Sequence, residues 1–131
     1  MGLIRRVQHV SVGFVAGRDA EVREFYGKAL GLTEKPRPLG LRQNPVIWFD
    51  AGDDDHEVHL LATEGYVAPV GNHLCLEVDD LDAMRAHLLR HGVAVRETTP
   101  IDHRPRFVIS DPFGNGIEIT QITGQYTPVG A

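Results

Sequence analysis

The chain repeats itself. His9-Val-Ser-Val-Gly-Phe returns 64 positions later as His73-Leu-Cys-Leu-Glu-Val, and Glu57-Val-His-Leu-Leu returns as Gly116-Ile-Glu-Ile-Thr, with His59 matched to Glu118. A duplicated unit constrains a fold more strongly than composition does, because both copies must form the same elements and cover the same face. Each strand-like start leads into an acidic residue and an amphipathic stretch. The first runs from Asp19 through Val22, Phe25, Tyr26 and Leu30 to Gly31, and the second from Asp79/Asp80 through Leu81, Met84, Leu88 and Leu89 to Gly92. An Asp at the start and a Gly just past the end are helix boundaries.

The pattern therefore predicts two copies of a β-α-β-β-β unit. The first has strands near 7–14, 32–38, 45–50 and 56–62 and a helix near 19–30; the second has strands near 72–78, 93–98, 105–110 and 115–122 and a helix near 80–91. The joint, at 65–71, contains Gly65, Pro69 and Gly71. It separates module 1 (about 1–64) from module 2 (about 72–131). With so short a joint, and halves of marginal size, the expectation is one domain over 1–131 in the α+β class. Composition narrows the partners. The formal net charge is −5 with no Lys/Arg cluster, so nucleic acid is not an expected ligand. One cysteine cannot make an intrachain disulfide, and no apolar run approaches the length of a membrane span. The reading is a cytoplasmic protein with no membrane partner.

Alternation along strands groups the side chains. Val10, Val12 and Phe14 share one face, opposite His9; Leu74, Leu76 and Val78 oppose His73; Val58, Leu60 and Ala62 oppose Glu57 and His59; Ile117 and Ile119 oppose Glu118. The aliphatic faces suit cover by a helix. That leaves His9, His59, His73 and Glu118 at repeat-related positions on the other side. Three imidazoles and a carboxylate make a donor set for Zn, Ni, Fe, Mn or Co as a divalent ion. Glu57 shares the parity of His59 and is a second candidate on its strand. Trp48, matched to Phe107, could pack in the core or touch a substrate. Arg104 and Arg106, beside Pro105, and Arg37 and Arg42, in the loop 36–45, are candidate clamps for carboxylate or phosphate.

Four segments, Val7-Gln-His-Val-Ser-Val, Phe25-Tyr-Gly-Lys-Ala-Leu-Gly-Leu, Asn72-His-Leu-Cys-Leu-Glu-Val-Asp-Asp and Asp111-Pro-Phe-Gly-Asn-Gly-Ile-Glu-Ile, stand in order over nearly the whole chain. In this the sequence resembles the vicinal oxygen chelate superfamily, which includes glyoxalase I, bleomycin-resistance proteins and extradiol dioxygenases. The resemblance implies two paired βαβββ modules forming a cupped mixed sheet around a metal, often in a homodimer. By position it implies ligands at His9, His59, His73 and Glu118, although His59 stands where glyoxalase I usually has a carboxylate. The expected activity is that of a metal-dependent glyoxalase-like lyase or isomerase. It would chelate a small oxygen-rich carbonyl or hydroxy substrate and move a proton by way of Glu118 or Glu57. Two alternatives are an Fe(II) ring-cleaving dioxygenase on His9, His73 and Glu118, and a metal-free drug-binding resistance protein. Trp48, Phe107, Arg104 and Arg106 are the expected substrate contacts.

Overall fold

The computed structural model describes residues 2–131. The chain divides after Ala68, inside the expected joint, into two compact units. Each is a four-stranded mixed sheet with helix packed on one face, so the α+β reading and the duplicated βαβββ order both hold.

In the first unit, β1 (His9–Val15) leads through α1 (Asp19–Val22) to β2 (Thr33–Lys35), β3 (Val46–Asp50) and β4 (Glu57–Thr63). The sheet order is β1-β4-β3-β2, with β1 parallel to β4 and the other pairs antiparallel. The helix departs from the expected α form. Only Asp19–Val22 is α-helical, and Arg23–Ala29 continues as a π-helix, with the Leu30 amide donating to the Phe25 carbonyl at 2.8 Å. The start differs too. Arg18 is the capping residue and makes no side-chain cap, and its guanidinium pairs with Glu21 instead. Widening the turn places Val22, Phe25, Tyr26 and Ala29 together in the core, where Tyr26 and Val22 are fully buried. They pack with the aliphatic sheet face, whose Phe14, Phe49, Val58 and Leu60 are all buried. Burial of such side chains contributes about 1.5–3 kcal/mol each.

In the second unit, β5 (His73–Glu77), α2 (Leu81–Arg90), β6 (Arg96–Glu97), β7 (Arg106–Ser110) and β8 (Gly116–Thr120) form a sheet in the order β5-β8-β7-β6. Here the capping signals act as expected. The Asp80 carboxylate accepts from the Ala83 amide at 2.9 Å, and Gly92, at φ +75°, follows the helix end in the left-handed conformation that glycine adopts without strain. Leu81 and Leu88 of α2 are buried, as are Phe107, Ile109, Ile117 and Ile119 of the sheet. The turn before β8 is fixed from within. Buried Asp111 accepts from the amides of Phe113 (2.8 Å) and Asn115 (2.9 Å) and from the Asn115 side chain (2.7 Å).

Candidate functional site

The strand registers bear out the alternation argument. In the first unit His9 lies beside Glu57, Ser11 beside His59, and Trp48 across from His59 on the other side. In the second, His73 lies beside Gly116 and Cys75 beside Glu118. His59 and Glu118 are thus equivalent in structure as they are in sequence. The two copies differ at one telling place, where Glu57 stands in the first and Gly116 in the second.

In the first unit three rings form a column. His59 is stacked on Trp48, with centroids 4.0 Å apart and planes 21° apart, and on His9, with centroids 4.2 Å and planes 20° apart. His59 Nε2 donates to Glu57 Oε1 at 2.9 Å, and Lys35 Nζ donates to Glu57 Oε2 at 2.6 Å. Lys35 also reaches Asp50 at 3.2 Å and Asp55 at 3.7 Å. Glu57 is only 6% exposed. Burial pushes its carboxyl upward, but hydrogen bonds from Lys35, His59 and Gln8 outweigh that and hold it down at about 2. The same contacts, with Glu57 first and Asp50 next, hold the Lys35 ammonium above its ordinary range.

His9 is oriented differently. The Gln8 amide nitrogen donates to the Asp55 carbonyl at 2.6 Å, which turns its oxygen toward His9 Nδ1 at 2.7 Å. That ring nitrogen must carry the proton, which leaves Nε2 with the lone pair in the neutral ring. His73 in the second unit repeats this arrangement: its Nδ1 donates to the Gly71 carbonyl at 3.1 Å, and Nε2 lies 3.6 Å from Glu118 Oε1. Glu118 is held on both sides, with Arg106 Nη1 donating to Oε1 at 2.8 Å and the Cys75 thiol 3.5 Å from Oε2. Burial, then the neighbouring Glu118 charge, pushes the Cys75 thiol up to about 12, so it is no nucleophile at neutral pH.

The resemblance drawn from the sequence implies a metal, and the donors can be tested against that. His9 and His73 each spend Nδ1–H on an oxygen and present Nε2, the pattern by which metal-binding imidazoles are oriented. Two donor atoms about 2.1 Å from one tetrahedral ion stand roughly 3.4 Å apart, close to the observed His73–Glu118 separation. His59 does not fit beside His9. Lone pairs lie in the ring planes, and nearly parallel planes about 4 Å apart cannot direct both to one ion at bonding distance. Among the described residues no three His, Cys, Asp or Glu side chains form a group able to hold a metal.

Other expectations are revised by geometry. Both Glu57 oxygens are occupied and its carboxyl is held at about 2, so it is an orienting group for His59 and a poor base. Phe107 is fully buried, with the Arg85 guanidinium 4.8 Å from its ring centre, and cannot touch a substrate. The structural counterpart of Trp48 is Val108, since Trp48 pairs with His59 and Val108 with Glu118. The cause is hairpin length: six residues separate β3 from β4 and five separate β7 from β8. Arg104 is turned toward the C-terminal segment, with its guanidinium 5.2 Å from the Tyr126 ring centre. Arg106 remains at the site but is used internally, because its Nε and Nη2 donate to the Thr99 carbonyl. Sequence reading missed the Lys35–Glu57 pair. The only available signal was Glu57 itself, an acid standing where the other copy has Gly116.

The family model for the glyoxalase/bleomycin resistance protein/dioxygenase superfamily matches residues 6–119. Among solved structures, a putative glyoxalase family protein from Bacillus anthracis is 30% identical, with a TM-score of 0.86 over 93% of this chain and 98% of that one. An antibiotic binding protein from Streptomyces sp. CB03234 is 24% identical (TM-score 0.71, 93% and 99% covered), and a lactoylglutathione lyase from Agrobacterium tumefaciens is 17% identical (TM-score 0.63, 92% and 96% covered). These last two establish the shared fold alone. No curated protein matches the chain. No helix among the described residues is long and apolar enough to cross a membrane. With its duplicated βαβββ order and a family match spanning most of its length, the chain belongs to the glyoxalase/bleomycin resistance protein/dioxygenase superfamily.

Proposed function

We propose that the chain is a metal-dependent lyase or isomerase of the glyoxalase type, acting on a small oxygen-rich carbonyl or hydroxy compound. The observation that supports this best is the His73–Glu118 pair, with a ring tautomer set by the Gly71 carbonyl and donor atoms 3.6 Å apart. His73 and Glu118 would hold the ion in the second unit; in the first, His9 carries an imidazole with the same Nδ1-anchored tautomer and is the candidate ligand there. A bound divalent ion would supply Lewis-acid polarisation of a substrate oxygen. The chain's own residues do the rest. Arg106 sets the orientation of Glu118 through Oε1, leaving Oε2, whose neighbour is the weakly bonding Cys75 thiol, as the atom placed to take up or return a proton. Glu57 and Lys35 fix the His59 ring, and the His59–Trp48 stack makes a flat wall beside His9.

One observation favours a second reading, metal-free ligand binding: the Arg106 guanidinium already neutralises Glu118 without a metal ion. Metal analysis separates the two. The purified protein is reconstituted in turn with Zn, Ni, Fe, Mn and Co, beside the His9→Ala, His73→Ala and Glu118→Ala variants. The proposal expects a stoichiometric ion in the parent protein and weakened retention in each variant. An apo protein after every reconstitution, or full retention in all three variants, overturns it.

A further inference from the structure

A groove of about 620 Å³ opens in the first unit beside β3. Its walls carry four cations, Arg23, Lys35, Arg37 and Arg42, against two carboxylates, Asp19 and Glu34. The local balance is +2 (4 − 2) in a chain whose formal net charge is −5. Two of the four cations are already neutralised. Arg23 closes a two-point pair with Glu34, both contacts at 2.9 Å, and Lys35 is turned to Glu57 and Asp50. The other two are not. Arg37 donates to the Asn44 backbone carbonyl, and the acid whose charge it feels, Glu34, is already held at both oxygens by Arg23, while Arg42 has no ion pair among the described residues.

Both unneutralised guanidinium groups belong to one loop, which is folded on itself. The amides of Leu41, Asn44 and Val46 donate to the carbonyls of Pro38, Leu41 and Asn44 at 2.8–2.9 Å. The neighbouring wall is apolar, made by Pro45, Val46 and Trp48. A concave surface that gathers uncompensated positive charge on an acidic protein, next to apolar wall, is complementary to an anion with a hydrocarbon body. Guanidinium groups suit oxyanions in particular, since their paired N–H groups match two oxygens of one carboxylate or phosphate.

We propose that this groove binds the carboxylate or phosphate end of a small organic molecule on Arg37 and Arg42, with the molecule's apolar part lying on Pro45 and Trp48. The site shares the Trp48 ring with the wall beside His9 but uses none of His9, His73 and Glu118 as binding groups, so it can fail or hold independently of the metal reading. Trp48 is the one tryptophan in the chain, which makes its fluorescence a local reporter.

The test titrates the full chain, at constant ionic strength and with chelator present, with hexanoate, hexyl phosphate and inorganic phosphate. A saturable change in Trp48 emission below about 10 mM is expected for hexanoate or hexyl phosphate, and the tighter of the two names the head group. Affinity should fall about tenfold or more in the Arg37→Gln/Arg42→Gln double variant, and rise in Asp19→Asn, which removes an opposing charge. Both altered arginines are exposed, so the double variant should unfold at the same denaturant concentration as the parent. No saturable response to any probe, a response to inorganic phosphate alone, or unchanged affinity in the double variant overturns the proposal.

Discussion

Replacing Glu57 by Gln tests the buried ion network of the first unit. The side chain keeps its size and loses its charge, so packing is preserved, while its single amide oxygen can accept from only one of Lys35 (2.6 Å to Glu57) and His59 (2.9 Å to Glu57). Stranding a charge in a buried pair costs about 3–5 kcal/mol. Here nothing is stranded, because Lys35 retains Asp50 at 3.2 Å and is itself part-exposed. The relevant scale is a hydrogen bond to a charged group, about 1.5–3 kcal/mol, which places the loss near 2 kcal/mol at pH 7. The pH dependence identifies the cause. A carboxyl held at about 2 in the folded chain, against an ordinary 4.5, contributes stability that is complete above about 4.5 and disappears as pH falls toward 2. Urea unfolding of parent and variant at pH 7 and pH 3 should therefore show a difference that shrinks by more than half at the lower pH. An equal difference at both values would refute the ionic explanation and leave only a packing effect.

Two further outcomes follow from close contacts. A Cβ added at Gly13 would stand 2.1 Å from Cε1 of Tyr66, so Gly13→Ala must displace that ring; a loss of about 1–2 kcal/mol is expected in urea unfolding, and it should largely vanish in a Tyr66→Ala background. The Cys75 thiol, pushed up to about 12, should react with iodoacetamide at pH 8 tens of times more slowly than free cysteine, and Glu118→Gln should speed it by removing the neighbouring negative charge. A rate like that of free cysteine in the parent protein would show that the thiol is not held up, and an unchanged rate in Glu118→Gln would show that Glu118 does not control it.

What the sequence by itself determined is what depends on period and duplication. The repeat located both βαβββ modules, alternation put His9, His59 and Glu57 on one face of the first sheet, and the Asp80 and Gly92 signals bounded α2, because these features rest on contacts within a few residues or on the two-residue pleat. The tertiary structure decided whatever passes through a turn of unknown length or a partner distant in sequence. One extra residue between β3 and β4 made Val108, and not Phe107, the counterpart of Trp48, since a single-residue change in a hairpin reverses the face of everything beyond it. Likewise, Glu57 is an orienting group because Lys35, 22 residues away, reaches it across two intervening strand pairings; no local pattern records that ammonium, and its field decides what the carboxylate can do.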